Sequence, residues 1–264
     1  MNMPIPGKSS TYCAAIIIIG NEILSGRTPD ANISWIADQL NNHGINLREV
    51  RIVRDIEDEI IKAVRELHSE VDYVFTTGGI GPTHDDITTA SIAKAFEAKV
   101  AINPDAKHQL EEHYGEELNK ARLKMASIPE GATLIDNPIS AAPGFVIENV
   151  YVMAGVPRIM RGMFKQITHH LAGGMPMLSN TITCQIKESD IAESLADIQS
   201  QFSNVDIGSY PHFRGGLLGL SLVVRCDDEE MLESATNAVM QMLRDLGDKP
   251  RAVSIRSTLH EQAS

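Results

Sequence analysis

The run from Thr76 to Thr88, TTGGIGPTHDDIT, constrains this chain more than any other stretch. It follows Asp72-Tyr73-Val74-Phe75, a short apolar run that reads as a buried strand, and precedes a helical pattern from Ile87 to Phe96. Gly78, Gly79 and Gly81 leave the backbone uncovered, so its N–H groups are able to close on a ligand. Pro82 fixes the turn, Thr83 adds a hydroxyl, and Asp85 and Asp86 bring two carboxylates to the helix entry. Bare amides beside a helix N-terminus suit a phosphate, and paired aspartates suit the divalent metal that accompanies phosphates. One aspartate is expected to cap the helix. The glycines upstream exceed what a cap requires, so the pair is assigned a functional role.

Strand and helix patterns alternate around this turn. Ile16 to Ile19 is a β-branched run; Ile33, Ile36, Ala37 and Leu40 then recur at helical spacing behind an Asp30 cap. Leu47 to Val53 reads as a strand, and Ile60, Ile61, Val64 and Leu67 mark a helix with Glu57, Asp58 and Glu59 in its first turn. Asp105 to Met125 reads as a charged helix bent near Gly115, and Phe145–Ile147 with Tyr151–Met153 as a hairpin across Glu148-Asn149. This order predicts an α/β fold, a three-layer αβα arrangement around a mostly parallel sheet. Gly173-Gly174-Met175-Pro176 reads as a linker, dividing residues 1–174 from a small α+β module at 175–264. That module shows a β-α-β-β-α pattern, and the tail from Lys249 offers a further extended segment.

The 264 residues allow about two domains. A net charge of -12 argues against a nucleic-acid-binding surface as the main role. Cys13, Cys184 and Cys226 lie far apart, which suits a reducing cytosol and small core residues rather than a disulfide or zinc framework. Ala14 to Gly20 is the one run that imitates a signal-peptide core, and a buried parallel strand is the better reading. No stretch approaches the ~20 apolar residues of a membrane helix, so a cytoplasmic protein with no membrane partner is expected.

Ligands of a parallel sheet bind at the C-terminal ends of its strands. Three loops should converge there: Gly20-Asn21-Glu22, Gly78 to Asp86, and Asn137 to Gly144. Glu22 with the paired aspartates would supply oxygen ligands to a metal; the plainer role for Glu22 is a pair with Arg27. His84 reads as a loop residue and Trp35 as packing. Arg158 and Arg161, at i and i+3, are equally phosphate neutralisers or surface charges. Tyr210 to Gly216 reads as a hairpin turn.

TTGGIGPTHDDIT resembles the signature of the molybdopterin-binding (MoaB/Mog-like) fold, and its GPT-x-DD-x-T form is similar to the competence/damage-inducible protein A (CinA) branch. IGNEILSGRTPDANISWIADQL at 19–40, NPISAAPGF at 137–145 and GVPRIM at 155–160 support the resemblance, which covers residues ~13–172. GSYPHFR at 208–214 resembles that branch's small KH-type domain. Ser140 stands where the branch usually shows glycine, and Ala154 where it usually shows proline. Full-length relatives continue into a nicotinamide-nucleotide amidase domain, whose deamidase activity is expected to be absent here.

The resemblance implies a metal-dependent nucleotide pyrophosphatase that hydrolyses ADP-ribose-like or FAD-like phosphoanhydrides to AMP and a phosphorylated product. In that reading Asp85 and Asp86 are catalytic and, with Glu22, hold Mg²⁺, Mn²⁺ or Co²⁺, with K⁺ as a further candidate ion. Gly78, Gly79, Gly81, Thr83, Asn21, Ser140 and Gly144 would contact the nucleotide-type substrate. The alternative is a molybdopterin-binding or adenylylating protein of molybdenum cofactor biosynthesis; a second alternative is a non-enzymatic competence- or damage-related regulator. A homo-oligomer, dimer or trimer, is expected from the same resemblance.

Overall fold

Alternate residues of the first strand face opposite sides, and here both sets are apolar. Ala15, Ile17 and Ile19 enter one hydrophobic cluster, while Ala14, Ile16 and Ile18 enter another. A strand buried on both faces must lie inside a sheet covered by helices on both sides. The structure, a computed structural model describing residues 12–214 and 217–255, has that arrangement. The chain divides into two compact units, Met1–Gly174 and Met175–Ser264.

In the first unit the elements run β1 (Tyr12–Ile19), α1 (Asn21–Leu24), α2 (Ile33–Asn42), β2 (Ile45–Val53), α3 (Glu57–His68), β3 (Tyr73–Thr77) and α4 (Thr88–Ala95). Then follow β4 (Val100–Ile102), α5 (Pro104–Tyr114), a 3₁₀ turn, α6 (Lys120–Lys124), β5 (Ser127–Pro129), β6 (Thr133–Ile135), β7 (Gly144–Ile147), β8 (Val150–Met153) and α7 (Pro157–Ile167). Six strands form one sheet in the order β2-β1-β3-β8-β7-β6. β2, β1, β3 and β8 are mutually parallel; β7 runs against β8 and β6, so the sheet is mixed but mostly parallel. Ile60, Ala63, Val64 and Leu67 of α3 and Ile92 of α4 cover one face. Ile36 and Leu40 of α2 cover the other, with Met160, Met163, Phe164 and Ile167 of α7. Trp35 meets Phe164 edge-on at 5.4 Å, so it packs, as its position on the first long helix suggested.

The bent charged helix at 105–125 is α5, the 3₁₀ turn and α6, and β4 pairs antiparallel with β5 across it. Its exposed three-residue strand Val100–Ile102 has no alternating pattern, which is why periodicity passes over that pairing.

The second unit contains β9 (Leu178–Cys184), α8 (Glu188–Gln201), β10 (Asp206–Arg214), β11 (Leu217–Cys226), α9 (Glu229–Asp245) and β12 (Arg251–Ile255). Its sheet order is β10-β11-β9-β12, antiparallel throughout, a β-α-β-β-α-β arrangement of the split βαβ kind. This topology, rather than a KH-type label, describes the module. The tail after Lys249 supplies the fourth strand. Tyr210–Arg214 lies in β10 rather than in a turn, and Gly215 and Gly216 lie outside the described residues. Cys184 and Cys226 are buried, Cys13 is half-buried, and all three are free.

The ends of β1, β3 and β8 meet backbone to backbone. A Cβ on Gly78, whose φ is +105°, would stand 2.1 Å from the Ile19 carbonyl oxygen. Gly78→Ala is therefore expected to destabilise the protein by at least about 2 kcal/mol, from left-handed strain and backbone overlap together. Urea unfolding measures this, and an unchanged midpoint would refute the close-approach account.

Candidate functional site

The parallel register brings the C-terminal ends of β1, β2, β3 and β8 to one crest. Because β7 is antiparallel to β8, its first residue Gly144 and the preceding 136–143 loop reach the same edge. The three loops expected to converge share this edge, joined by the β2–α3 and β8–α7 connections.

Each loop is tied down by its own polar residue. After β1, Asn21 and Glu22 open the single-turn α1 rather than a loop, and the Asn21 amide donates to Asp55 Oδ2 at 2.9 Å, linking the connections after β1 and β2. Asp30 Oδ1 accepts from the amides of Asn32 and Ile33 at 3.0 and 2.7 Å, bracing the entry to α2, whose N-cap position is Asn32 rather than the expected Asp30. Asn32 is 4% exposed; its Nδ2 donates to the Gly155 carbonyl at 2.8 Å and lies 3.5 Å from Thr77 Oγ1. In the 136–143 loop the Asn137 side chain donates to Ser140 Oγ at 2.7 Å and to the Ala142 carbonyl at 2.8 Å. Its Oδ1 accepts from the amides of Ile139 and Ser140. Ser140, the departure from the resembled pattern, thus has its hydroxyl engaged within its own loop.

The glycine-rich turn holds the main corrections. The Gly78 amide donates to the Met153 carbonyl at 3.2 Å, and the Thr83 amide to Asp86 Oδ2 at 2.8 Å. Neither is available to a ligand, contrary to the expectation for Gly78. The amides of Gly79, Ile80 and Gly81 donate to no protein acceptor among the described residues. Helix α4 starts at Thr88 with no acidic residue in its first turn and no side-chain cap, so neither aspartate caps it. Both turn to Thr83 instead: its Oγ1 lies 2.6 Å from Asp85 Oδ1 and 2.5 Å from Asp86 Oδ2. A hydroxyl has one proton, so it satisfies one carboxylate at a time. Asp86 also folds beneath Gly81, where a Cβ would stand 2.7 Å from its Oδ2.

Glu22 is exposed, and its carboxylate lies over Gly20, where a Cβ would meet it at 2.6 Å. Among the described residues no three His, Cys, Asp or Glu side chains gather as a metal-holding group, so Glu22 does not join Asp85 and Asp86 in this conformation. No ion pair between Glu22 and Arg27 occurs among the described residues either; the link there is from the Arg27 amide to the Glu22 carbonyl. His84 is 99% exposed and 3.9 Å from Asp85. Arg161 lies over the Trp35 ring at 5.6 Å.

Asn32, Asp55 and Lys124 were not singled out as site residues from sequence. Lys124 donates to the carbonyls of Thr83 and Asp86. Only Asn32 carries a local signal, an asparagine just before the helical pattern that starts at Ile33. A cavity of about 380 Å³ between β6 and α7 is lined in part by Asp136, Tyr151 and His170, and by none of the predicted site residues. Burial pushes the Tyr151 hydroxyl up from its ordinary pKa.

With this geometry in view, comparison with known proteins identifies the fold. The family described as "Probable molybdopterin binding domain" matches residues 15–173. The chain belongs to that family. The family described as "FAD synthase, middle domain" matches residues 176–247, within the second unit. The crystal structure of the protein CinA with unknown function from Thermoplasma acidophilum is 36% identical, with a TM-score of 0.58 over 62% of this chain and 99% of that one. A protein of Pyrobaculum calidifontis is 32% identical over 88% of this chain and 95% of its own. A probable FAD synthase of Caenorhabditis briggsae is 31% identical over 90% of this chain, which spans 50% of that protein. The MoaB/Mog-like resemblance read from four motifs thus holds across the first unit, followed by a second domain that is not an amidase. Among the described residues no helix of this molybdopterin-binding-type chain is long and apolar enough to cross a membrane.

The Thr83 hydroxyl is the main cause holding the Asp85 carboxyl below the usual aspartate range, assisted by the Asp85 amide, His84 and Lys124 and opposed by desolvation. A depressed carboxyl stabilises the fold above its unfolded pKa, and this contribution disappears as pH falls through the folded value. Carbon NMR of the side-chain carboxyl is expected to find Asp85 low in the wild type and raised toward normal in Thr83→Val. Equal titration in the two proteins would remove Thr83 as the cause.

Proposed function

We propose that this chain binds molybdopterin, with the pterin's phosphate held at the glycine-rich turn between β3 and α4. The observation that carries the reading is the turn itself. Among the described residues the amides of Gly79, Ile80 and Gly81 lack protein acceptors, at the strand C-terminal edge of a unit that matches the molybdopterin-binding family along its length. Asn137 shapes the facing loop, and Asn32 ties the α2 entry to Gly155, so the walls of the site are set before a ligand arrives. Calorimetry with molybdopterin, alone and with ATP, tests it. Saturable heat with the pterin is expected; its absence would end this reading.

A second reading is favoured by the oxygens around Thr83 and by the FAD synthase likeness of the second unit: a metal-dependent pyrophosphatase acting on ADP-ribose-like or FAD-like substrates. Three hard oxygens sharing one proton fit a divalent ion such as Mg²⁺, Mn²⁺ or Co²⁺. Asp85 and Asp86 would hold it, and when bound it would polarise a phosphoryl oxygen. The free amides would bind the pyrophosphate, and Thr83 would keep the two carboxylates facing each other. Release of AMP from ADP-ribose, FAD, NAD and diadenosine polyphosphates, with each metal and with chelator, checks this reading. Asp85→Asn and Asp86→Asn are each expected to lower turnover by about 10²-fold or more. Full activity in both variants would exclude these residues.

A further inference from the structure

Lys124 lies 41 and 38 residues from the two carbonyls it binds, those of Thr83 and Asp86. Those carbonyls bracket His84 and Asp85, so a single ammonium clasps the turn from outside. From inside, Asp86 Oδ2 accepts from both the amide and the hydroxyl of Thr83. The turn that carries the carboxylates is thus closed on both sides.

The element presenting Lys124 is itself fixed. Asn119 caps α6 by accepting from the Arg122 amide at 3.0 Å. The Arg122 guanidinium pairs with Glu117 at 3.1 Å and lies 4.4 Å over the Tyr114 ring. Leu123 and Met125, on either side of Lys124, pack against the core. The β4–β5 pairing closes the excursion at its base, which returns the chain to the turn with α6 in place. A lysine with ordinary surface freedom would have none of these supports.

We propose that Lys124 is a positioning residue of the crest site, holding residues 83–86 in the shape that sets the Thr83, Asp85 and Asp86 oxygens together. The proposal rests on the phosphate-and-metal reading of that turn. It makes a prediction of opposite sign to simple charge effects. A positive charge near a cation site repels the cation, so removing it should strengthen metal binding if Lys124 acts only through its field. Removing a clasp that sets the ligand geometry should weaken metal binding.

The test uses the full chain as wild type, Lys124→Met and Lys124→Arg, with two measurements. Amide hydrogen exchange at Thr83, read without any ligand, is expected to be about tenfold faster or more in Lys124→Met, and restored in Lys124→Arg. Mn²⁺ alone, titrated by electron paramagnetic resonance, is expected to bind Lys124→Met about 10–100-fold more weakly, again restored by arginine. Unchanged exchange in Lys124→Met, or tighter Mn²⁺ binding, overturns the proposal. A wild type that binds no Mn²⁺ overturns the metal reading of the turn, and the exchange measurement then decides the clasp by itself.

Discussion

The crest depends on one close contact, the approach of Gly78 to the carbonyl of Ile19 and to Gly155. A Cβ on Gly78 would stand 2.1 Å from the Ile19 oxygen, and one on Gly155 would stand 3.1 Å from the Gly78 Cα. The ends of three parallel strands therefore close without side chains between them. The Gly78 amide then reaches the Met153 carbonyl, extending the β3–β8 ladder by one bond past the last strand residue. This sets where the glycine-rich turn leaves the sheet. The backbone up to Gly78 belongs to the sheet, and the free amides start at Gly79. A bulkier residue at either glycine would part the strands and shift every later position of the turn.

In the first unit, three buried polar atoms without a partner gather in the segments around the turn. Asn32 Oδ1, Thr76 Oγ1 and Thr88 Oγ1 are buried and have no hydrogen-bond partner among the described residues. Each such group costs about 1–3 kcal/mol relative to a satisfied one. Thr76 ends within β3, Thr88 opens α4, and Asn32 bonds Gly155, so all three belong to the segments that frame the glycine turn. The unit's other buried polar side chains, Thr77, Ser91 and Asn137, each have a hydrogen-bond contact, and the two clusters around them are apolar. A polar floor placed where the fold would be steadier with an apolar one is the kind of local conflict that function retains.

Much of this was legible because apolar periodicity reports what a strand or helix buries. β1, β3, α2, α3 and the β7–β8 hairpin all have their buried residues in the order the sequence implies. The aspartate pair was legible as a neighbour of the glycine turn, but its geometry was not. Composition places Asp85 and Asp86 at a helix entry, where capping is the obvious role, yet a helix that starts at Thr88 leaves them to Thr83. Which amides are free was also out of reach, since Gly78 and Gly79 are alike in sequence and differ only in whether Met153 lies opposite. Asp55 and Lys124 act across 34 to 41 residues, and no local pattern marks such pairs. The fourth strand of the second unit follows the same logic. A short exposed segment after Lys249 becomes a strand only because β9 has an edge to receive it.

Charge at the turn bears on both readings of the site. Asp85 and Asp86 carry two negative charges, and Lys124 brings one positive charge to the same turn from the end of α6. A phosphate approaching the amides of Gly79, Ile80 and Gly81 meets favourable backbone dipoles and an unfavourable carboxylate pair a few residues away. A divalent cation on the aspartates reverses the sign of that pair's field. Cation and phosphate would then each raise the other's affinity by the same factor, since linkage is reciprocal. In the molybdopterin reading the cation would serve ligand retention; in the pyrophosphatase reading it would also serve the bond that breaks. The same three oxygens and three amides would suffice for either, because both readings ask the turn to hold a phosphate beside a cation and leave the rest of the ligand to the loops around it.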